Sequence, residues 1–316
     1  MVYKFESISK CRDELMGYAI FGVFLSHLLY WLGIKIPGVN MVLRLIYTQG
    51  FLFLSGFGLY YSFVKSSDIL PFYARRMKRL YIPFVVMTFI PFLVYTFLVG
   101  NGIVDFVSFI TTIHFWTHGS YLGMWYIAVS IALYFIYPIL HKYIFLSNKG
   151  VALRAVSCLL LAVVFFEVLK YTPFFETFGF WAQKAIVFPL GMLCGYLSRN
   201  GVQVKIRFLI VWCIVMLVLT VVIQPYDRNY YDICKTCIAL PIMCLLFEKF
   251  AQNKIRRFFS WFGKLSLEIY VLHCVIYGTM IQFYPPYKSI LVAYPITILL
   301  APLLHKYLGK ILDGRH

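Results

Sequence analysis

Charge is what this sequence lacks. Only 13% of its 316 residues are charged and only twelve are acidic, while 62% are hydrophobic. Soluble domains carry about 25% charged residues and about 45–50% apolar ones. No soluble surface can be built from so few charges, and such an apolar chain is no disordered polymer either. The apolar runs are continuous, as from Val211 to Val222 and from Ile296 to Leu304. They lack the alternation of apolar and polar residues that a membrane β-barrel strand needs. Nor does the chain show a small-residue cleavage site after its first apolar stretch, which therefore reads as a span and not a signal peptide. No fixed-period repeat, linker or low-complexity run divides it.

What remains is an all-α, polytopic membrane protein. At about 20 residues per crossing, the chain accommodates about ten transmembrane helices. They are expected near 13–33, 44–64, 81–99, 122–141, 152–169, 181–198, 206–224, 232–248, 264–283 and 289–305. Residues 1–316 then form a single integral-membrane domain.

The excess of 29 Lys and Arg gives a formal charge of +17. Twenty-two of these cations, Arg315 included, fall in the termini and the connections on one side of that arrangement. The other side holds seven: Lys35, Arg44, Lys170, Lys184, Arg228, Lys235 and Lys288. Basic residues concentrate on the cytoplasmic side of membrane proteins. Both termini are therefore expected in the cytoplasm. Topology accounts for the basic charge, and no nucleic acid is called for. Of the eight cysteines, most lie in or beside apolar runs, where Cys is a small hydrophobe. The pair Cys234 and Cys237 has no His or Cys companions that would argue for zinc, and no metal is expected.

Ionisable side chains in apolar spans are costly and mark functional sites. His27 is the clearest, since imidazole exchanges protons near neutral pH. The other reading is a hydrogen bond that fixes helix packing. Arg12 lies fifteen residues earlier, about 22 Å along a helix and about 60° around it. The two suit a ligand with an anionic head and a reactive end reaching inward, though Arg12 could equally be a snorkelling anchor. Arg75, Arg76, Lys78 and Arg79 crowd one membrane edge, with Tyr73 and Tyr81 beside them. Arg76 and Arg79 share a helix face and are suited to phosphate, or to setting topology and holding anionic lipid heads. His273, with Glu268 five residues before it, is a second polar group in the ninth span, there to orient substrate or His27, or to fix helix packing. Glu167 lies near the outer end of the fifth span, placed for an acceptor or for solvent. The outer connection 100–121 has no Lys or Arg but holds Asp105, His114, Trp116, His118 and Tyr121, which suits an interfacial aromatic belt or sugar stacking.

These residues occur in an order that resembles the integral-membrane acyltransferase family 3, which contains many bacterial cell-surface sugar O-acyltransferases. The likeness comprises Asp13-Glu14-Leu15 followed by His27, then Gly50-Phe51-Leu52-Phe53-Leu54-Ser55-Gly56-Phe57, then Arg76-Met77-Lys78-Arg79 with Pro83. Met124-Trp125-Tyr126 with Tyr134 and Pro138 follows, and Gly263 to His273 resembles the family's closing Gly-x-x-Ser-Leu-x-x-Tyr-x-x-His. Two positions depart from its pattern. Met16 stands where members often carry Arg eleven residues before the His, and Ser130 stands where some branches carry Glu.

The resemblance implies transfer of an acyl group, usually acetyl, from acyl-CoA to a hydroxyl of a surface polysaccharide or glycolipid precursor. His27 is then the catalytic base. Arg12, Arg75, Arg76 and Arg79 hold the CoA phosphates. Trp125, Tyr270, His273 and Glu167 are candidates for substrate contact. The partners are acyl-CoA, a carbohydrate or glycolipid acceptor and membrane lipid, and the location is a bacterial inner membrane. No permanently bound cofactor is expected, acyl-CoA being a donor substrate. The residues alone also fit a transporter or flippase for a glycolipid or acyl donor, because intramembrane His serves proton relays, or a non-enzymatic membrane partner.

Overall fold

The computed structural model describes residues 2–100, 102–120 and 123–313. Tyr121 and Arg315 lie outside them. The described residues are overwhelmingly helical. One antiparallel pair of three-residue strands, β1 (Val2–Lys4) and β2 (Gln203–Lys205), ties the start of the chain to a later connection, with Tyr3 opposite Val204.

The long helices are α1 (Arg12–Trp31), α2 (Tyr47–Lys65), α3 (Ile82–Leu98), α4 (Trp125–Ile144), α5 (Val151–Leu169), α6 (Phe188–Arg199), α7 (Ile206–Ile223), α8 (Arg228–Lys249), α9 (Asn253–Lys264), α10 (Ser266–Met280) and α11 (Pro286–Asp313). Among the described residues, eight helical segments are long and apolar enough to cross a membrane. A ninth is added if α9 and α10, bent by 62° at Leu265, make one span. The chain is thus a multi-pass membrane protein. α1 is not among the eight. Its twenty residues reach about 30 Å, but Arg12, Asp13, Glu14 and His27 interrupt its apolar surface.

Lipid tails are as apolar as leucine, so helices in a membrane associate through close packing and not through escape from water. Glycine provides that closeness at two crossings. A Cβ on Gly17 of α1 would stand 1.7 Å from the Phe259 carbonyl oxygen of α9, and one on Gly263 would stand 1.9 Å from that of Asp13. α2 and α6 cross in the same way, with Gly56 against Phe188 and Gly191 against Phe53. The first crossing also carries the Glu14–Arg256 ion pair at 2.9 Å and the Phe21 ring against Phe259 and Phe262. α7 contributes little to the interior. Most of its side chains are exposed and Thr220 is its one buried residue, as expected of a helix that faces lipid.

Two segments leave α-helical geometry. Pro83 has no N–H for the Arg79 carbonyl, and the turn Met77–Tyr81 widens so that the Ile82 N–H reaches the Met77 carbonyl. Before α6, residues 175–187 pass through a wide turn, a short α segment and the 3₁₀ turn Gln183–Val187. Such departures often accompany functional sites. Here they carry Arg79 and Lys184.

Gly17→Val should cost about 3 kcal/mol or more, because backbone and not a flexible side chain blocks the new atoms. Gly309→Ala should be neutral or stabilising by up to about 1 kcal/mol, since nothing lies within 4 Å of its Cβ position. Thermal unfolding of both variants in detergent measures the difference.

Candidate active site

Two chambers lie at opposite ends of α1. The larger, about 770 Å³, is lined by Arg12, Lys65, Arg75, Arg76 and Arg79 at one end and by Tyr126, Tyr134, Ser266 and Tyr270 deeper in. Its size falls within the range of about 300–1,000 Å³ typical of small-molecule sites. The four arginines singled out in the sequence meet here. Arg76 has a buried Nε without a hydrogen-bond partner, and its guanidinium lies 5.7 Å over the Phe72 ring. Arg75 donates to the Ser66 carbonyl at 3.3 Å. Met16 lines the same wall, so Arg12, one turn earlier, supplies the cation on this face of α1. The first turn of α10 opens into this chamber through Ser266 and Tyr270, and a helix N-terminus favours anions.

The smaller chamber, about 220 Å³, contains His27. Arg44, Lys184, Arg228 and Asp232 bring charge to it, and Trp125 and Trp181 bring flat apolar surface. Tyr270 lines both chambers and its hydroxyl donates to the Gly123 carbonyl. The wall between the two is therefore a side chain.

His27 Nδ1 is 3.0 Å from His273 Nε2. His273 Nδ1 is 2.6 Å from the Ile269 carbonyl oxygen, which can only accept a hydrogen bond. Nδ1 of His273 therefore carries its proton, and neutral His273 presents a lone pair at Nε2. His27 must donate to it from Nδ1. The Nε2 lone pair of His27 is left free as a base. His273 is fully buried while His27 is half-buried and reaches the chamber. His273 thus positions His27 and does not line the chamber itself. Trp31 stacks on Tyr277 at 3.6 Å behind the pair, and the Tyr294 hydroxyl closes the same side by donating to the Phe24 carbonyl.

Cys274 Sγ lies 3.3 Å from the same His273 nitrogen. His27, His273 and Cys274 present ligand atoms within 4.8 Å of one another, close enough to be tried as a metal site. Two nitrogens on a tetrahedral metal at about 2.0–2.1 Å stand about 3.3 Å apart. The 3.0 Å separation of the two imidazoles is better suited to a shared proton. Cys234 and Cys237 are buried, with free thiols.

Trp125 and Tyr270, expected near the substrate, do line the smaller chamber. Glu167 does not. It pairs with Lys170 at 2.6 Å, and Lys170 pairs in turn with Asp227 at 2.7 Å. Trp116 of the outer connection packs on Phe178 and offers no open face near His27. Arg44, Trp181, Lys184, Arg228 and Asp232 are the site residues that sequence reading missed. They come from three separate segments near span ends, and only the positive charge of Arg44, Lys184 and Arg228 on the sparsely basic side sets any of them apart.

A family model described as an acyltransferase domain matches residues 15–305. The chain belongs to acyltransferase family 3. It is a membrane acyltransferase, as the order of its motifs implied. Comparisons with curated proteins and with solved structures give no match. The family match takes in His27, Arg75, Arg76, Arg79 and Tyr270 of this acyltransferase and begins after Ser9 and Arg12, which also line the larger chamber.

Asp227 caps α8 by accepting from the Asn229 and Tyr230 backbone N–H groups, and so fixes the turn that delivers Arg228 and Asp232. Burial alone would raise its carboxyl, but hydrogen bonds from Lys170, the Tyr230 backbone and Gln183 outweigh that and hold it below the usual carboxylate range. A depressed folded value stabilises above the unfolded carboxylate pKa of about 4, and that stability disappears as pH falls through the folded value. Asp227→Ala should cost about 1–2 kcal/mol at neutral pH. Its melting temperature should also fall less than that of the native chain between pH 5 and pH 3, as thermal unfolding across that range will show.

Proposed function

We propose that this acyltransferase moves an acyl group, acetyl in the simplest case, from acyl-CoA to a hydroxyl of a surface carbohydrate or glycolipid precursor. The observation that carries the reading is the free Nε2 of His27 in one chamber, which shares Tyr270 as a lining residue with a second chamber lined with arginine. Arg12, Arg75, Arg76 and Arg79 receive the CoA phosphates, since guanidinium matches phosphate geometry and stays charged. The pantetheine arm then runs along Tyr126 and Tyr134 and delivers the thioester at Tyr270.

The acceptor enters the smaller chamber. As its hydroxyl oxygen attacks the thioester carbonyl carbon, its proton passes to His27 Nε2. The imidazolium that forms keeps its Nδ1–H on the His273 lone pair, which the Ile269 carbonyl makes more basic. Collapse of the tetrahedral intermediate breaks the carbon–sulfur bond. The departing sulfur takes the proton from His27 Nε2, which leaves an ester and free CoA. In this reading the basic loops and both termini face the cytoplasm of a bacterium, the protein lies in the inner membrane, and the acceptor approaches from outside.

Transfer of radiolabelled acetyl from acetyl-CoA to the cell-envelope carbohydrate fraction tests this in membranes holding the full chain. His27→Ala should lose about 10²–10⁴-fold in rate. His273→Ala should lower kcat and shift its pH profile while leaving the donor KM unchanged. The pair Arg76→Ala and Arg79→Ala should raise the donor KM about tenfold and spare kcat. Absence of chain-dependent label with stable protein and several donors tried overturns the reading in favour of transport.

A further inference from the structure

The distribution of cations gives the smaller chamber a chemistry of its own. Only seven Lys and Arg are expected on the weakly basic side of the protein. The rule that empties that side of positive charge makes each survivor worth explaining. Three of the seven, Arg44, Lys184 and Arg228, line the one chamber that holds His27.

A single carboxylate lines the chamber with these three cations. The carboxylate in the lining is Asp232, and Lys235 already holds it at 2.6 Å. Lys184 is 7% exposed and, among the described residues, forms no ion pair. Its ammonium lies against aromatic faces instead, 4.1 Å from the centre of the Trp181 ring and 4.6 Å from that of Trp125. The Arg44 Nε is buried without a hydrogen-bond partner, and its guanidinium stands 4.7 Å over the Tyr47 ring. Cations withdrawn from water ordinarily have a counter-charge. Here they are held by rings, which attract a cation without cancelling its charge. The two tryptophans are stacked on each other at 5.6 Å; Trp125 is buried, and the half-buried Trp181 is the one that offers the chamber ring surface of the kind on which sugars settle.

We infer that the smaller chamber recognises an anionic carbohydrate, one carrying a carboxylate or a phosphate. The negative group lies among Arg44, Lys184 and Arg228, and the sugar ring lies on Trp181. Resting on the transfer reading above, this makes the acceptor an acidic sugar or a phosphate-linked sugar whose hydroxyl faces His27. A neutral sugar would leave the cations unanswered.

The full chain in nanodiscs of phosphatidylcholine, with no acyl donor present, tests this by thermal shift. The probes are glucuronic acid, glucose-1-phosphate, glucose and inorganic phosphate. The two anionic sugars should stabilise the native chain at concentrations at least tenfold below glucose, and their relative strength tells carboxylate from phosphate. Inorganic phosphate should be weaker than glucose-1-phosphate. Lys184→Met should weaken the anionic sugars about tenfold and leave glucose unchanged. Arg228→Gln, at an exposed residue whose loss spares the fold, should do the same. Glucose as effective as the charged sugars overturns the inference, and so does binding that neither variant alters. Inorganic phosphate as effective as glucose-1-phosphate overturns its carbohydrate part. Because no donor is present, acidic-sugar binding without any acetyl transfer defeats the transfer reading and leaves the anion site standing. Transfer to neutral acceptors with no anion preference does the reverse.

Discussion

Backbone-to-backbone contact at glycine is the constraint on which this molecule rests. In lipid there is no hydrophobic gain from pressing one apolar helix on another. Closeness must come from small residues, and Gly17 and Gly263 bring α1 and α9 within reach of each other's carbonyl oxygens. That crossing fixes the tilt of α1, which carries Arg12 at one end and His27 near the other. It also fixes α9, whose bend at Leu265 aims α10, and α10 carries Tyr270 and His273. The second crossing, through Gly56 and Gly191, sets α2 against α6. The turn before α6 then places Lys184 between Trp125 and Trp181. Arg12, His27, Tyr270, His273 and Lys184 are thus each referred to one of two glycine contacts.

The imidazole pair adds a different kind of order. A single His in a bundle has two tautomers. Here the Ile269 carbonyl selects the tautomer of His273, and His273 selects that of His27. The direction of the free lone pair follows from a backbone oxygen two residues removed in the chain of bonds. No carboxylate takes part, so the arrangement carries no net charge into the apolar interior before a proton arrives.

Much of this was legible in sequence, for physical reasons. Continuous apolar runs leave helices as the only economical solution in lipid, and the described residues hold eight helical segments long and apolar enough to span, or nine with the bent pair, against about ten expected. His27 stood out because imidazole is rare in such runs. The arginines stood out because four cations fall within five residues. Pairing was not legible. Nothing in the spacing said that His273 of α10 would meet His27 of α1, across 246 positions. Glu167 read as an acceptor contact because position along a helix says nothing of the neighbour that neutralises it, and Lys170 is that neighbour. Lys184 was invisible because its partners are aromatic faces on two other segments. Arg12 and His27 were expected to serve one ligand along one face. They line two chambers that have Tyr270, from another helix, in common.

That side chain has an electrical consequence. Two chambers that approach each other from opposite ends of α1 would, once filled with water, thin the insulating layer between them. A membrane potential falls mainly across what insulates, so most of the voltage would drop over the few ångströms around Tyr270. An elementary charge carried through the full field is worth about 2.3 kcal/mol per 100 mV. In the transfer proposed above, the charged head of a donor at Arg76 and Arg79 would stay outside that steep region, and so would an anion at Arg44 and Lys184. A neutral acyl group is the part that crosses it, and it does so without electrical work.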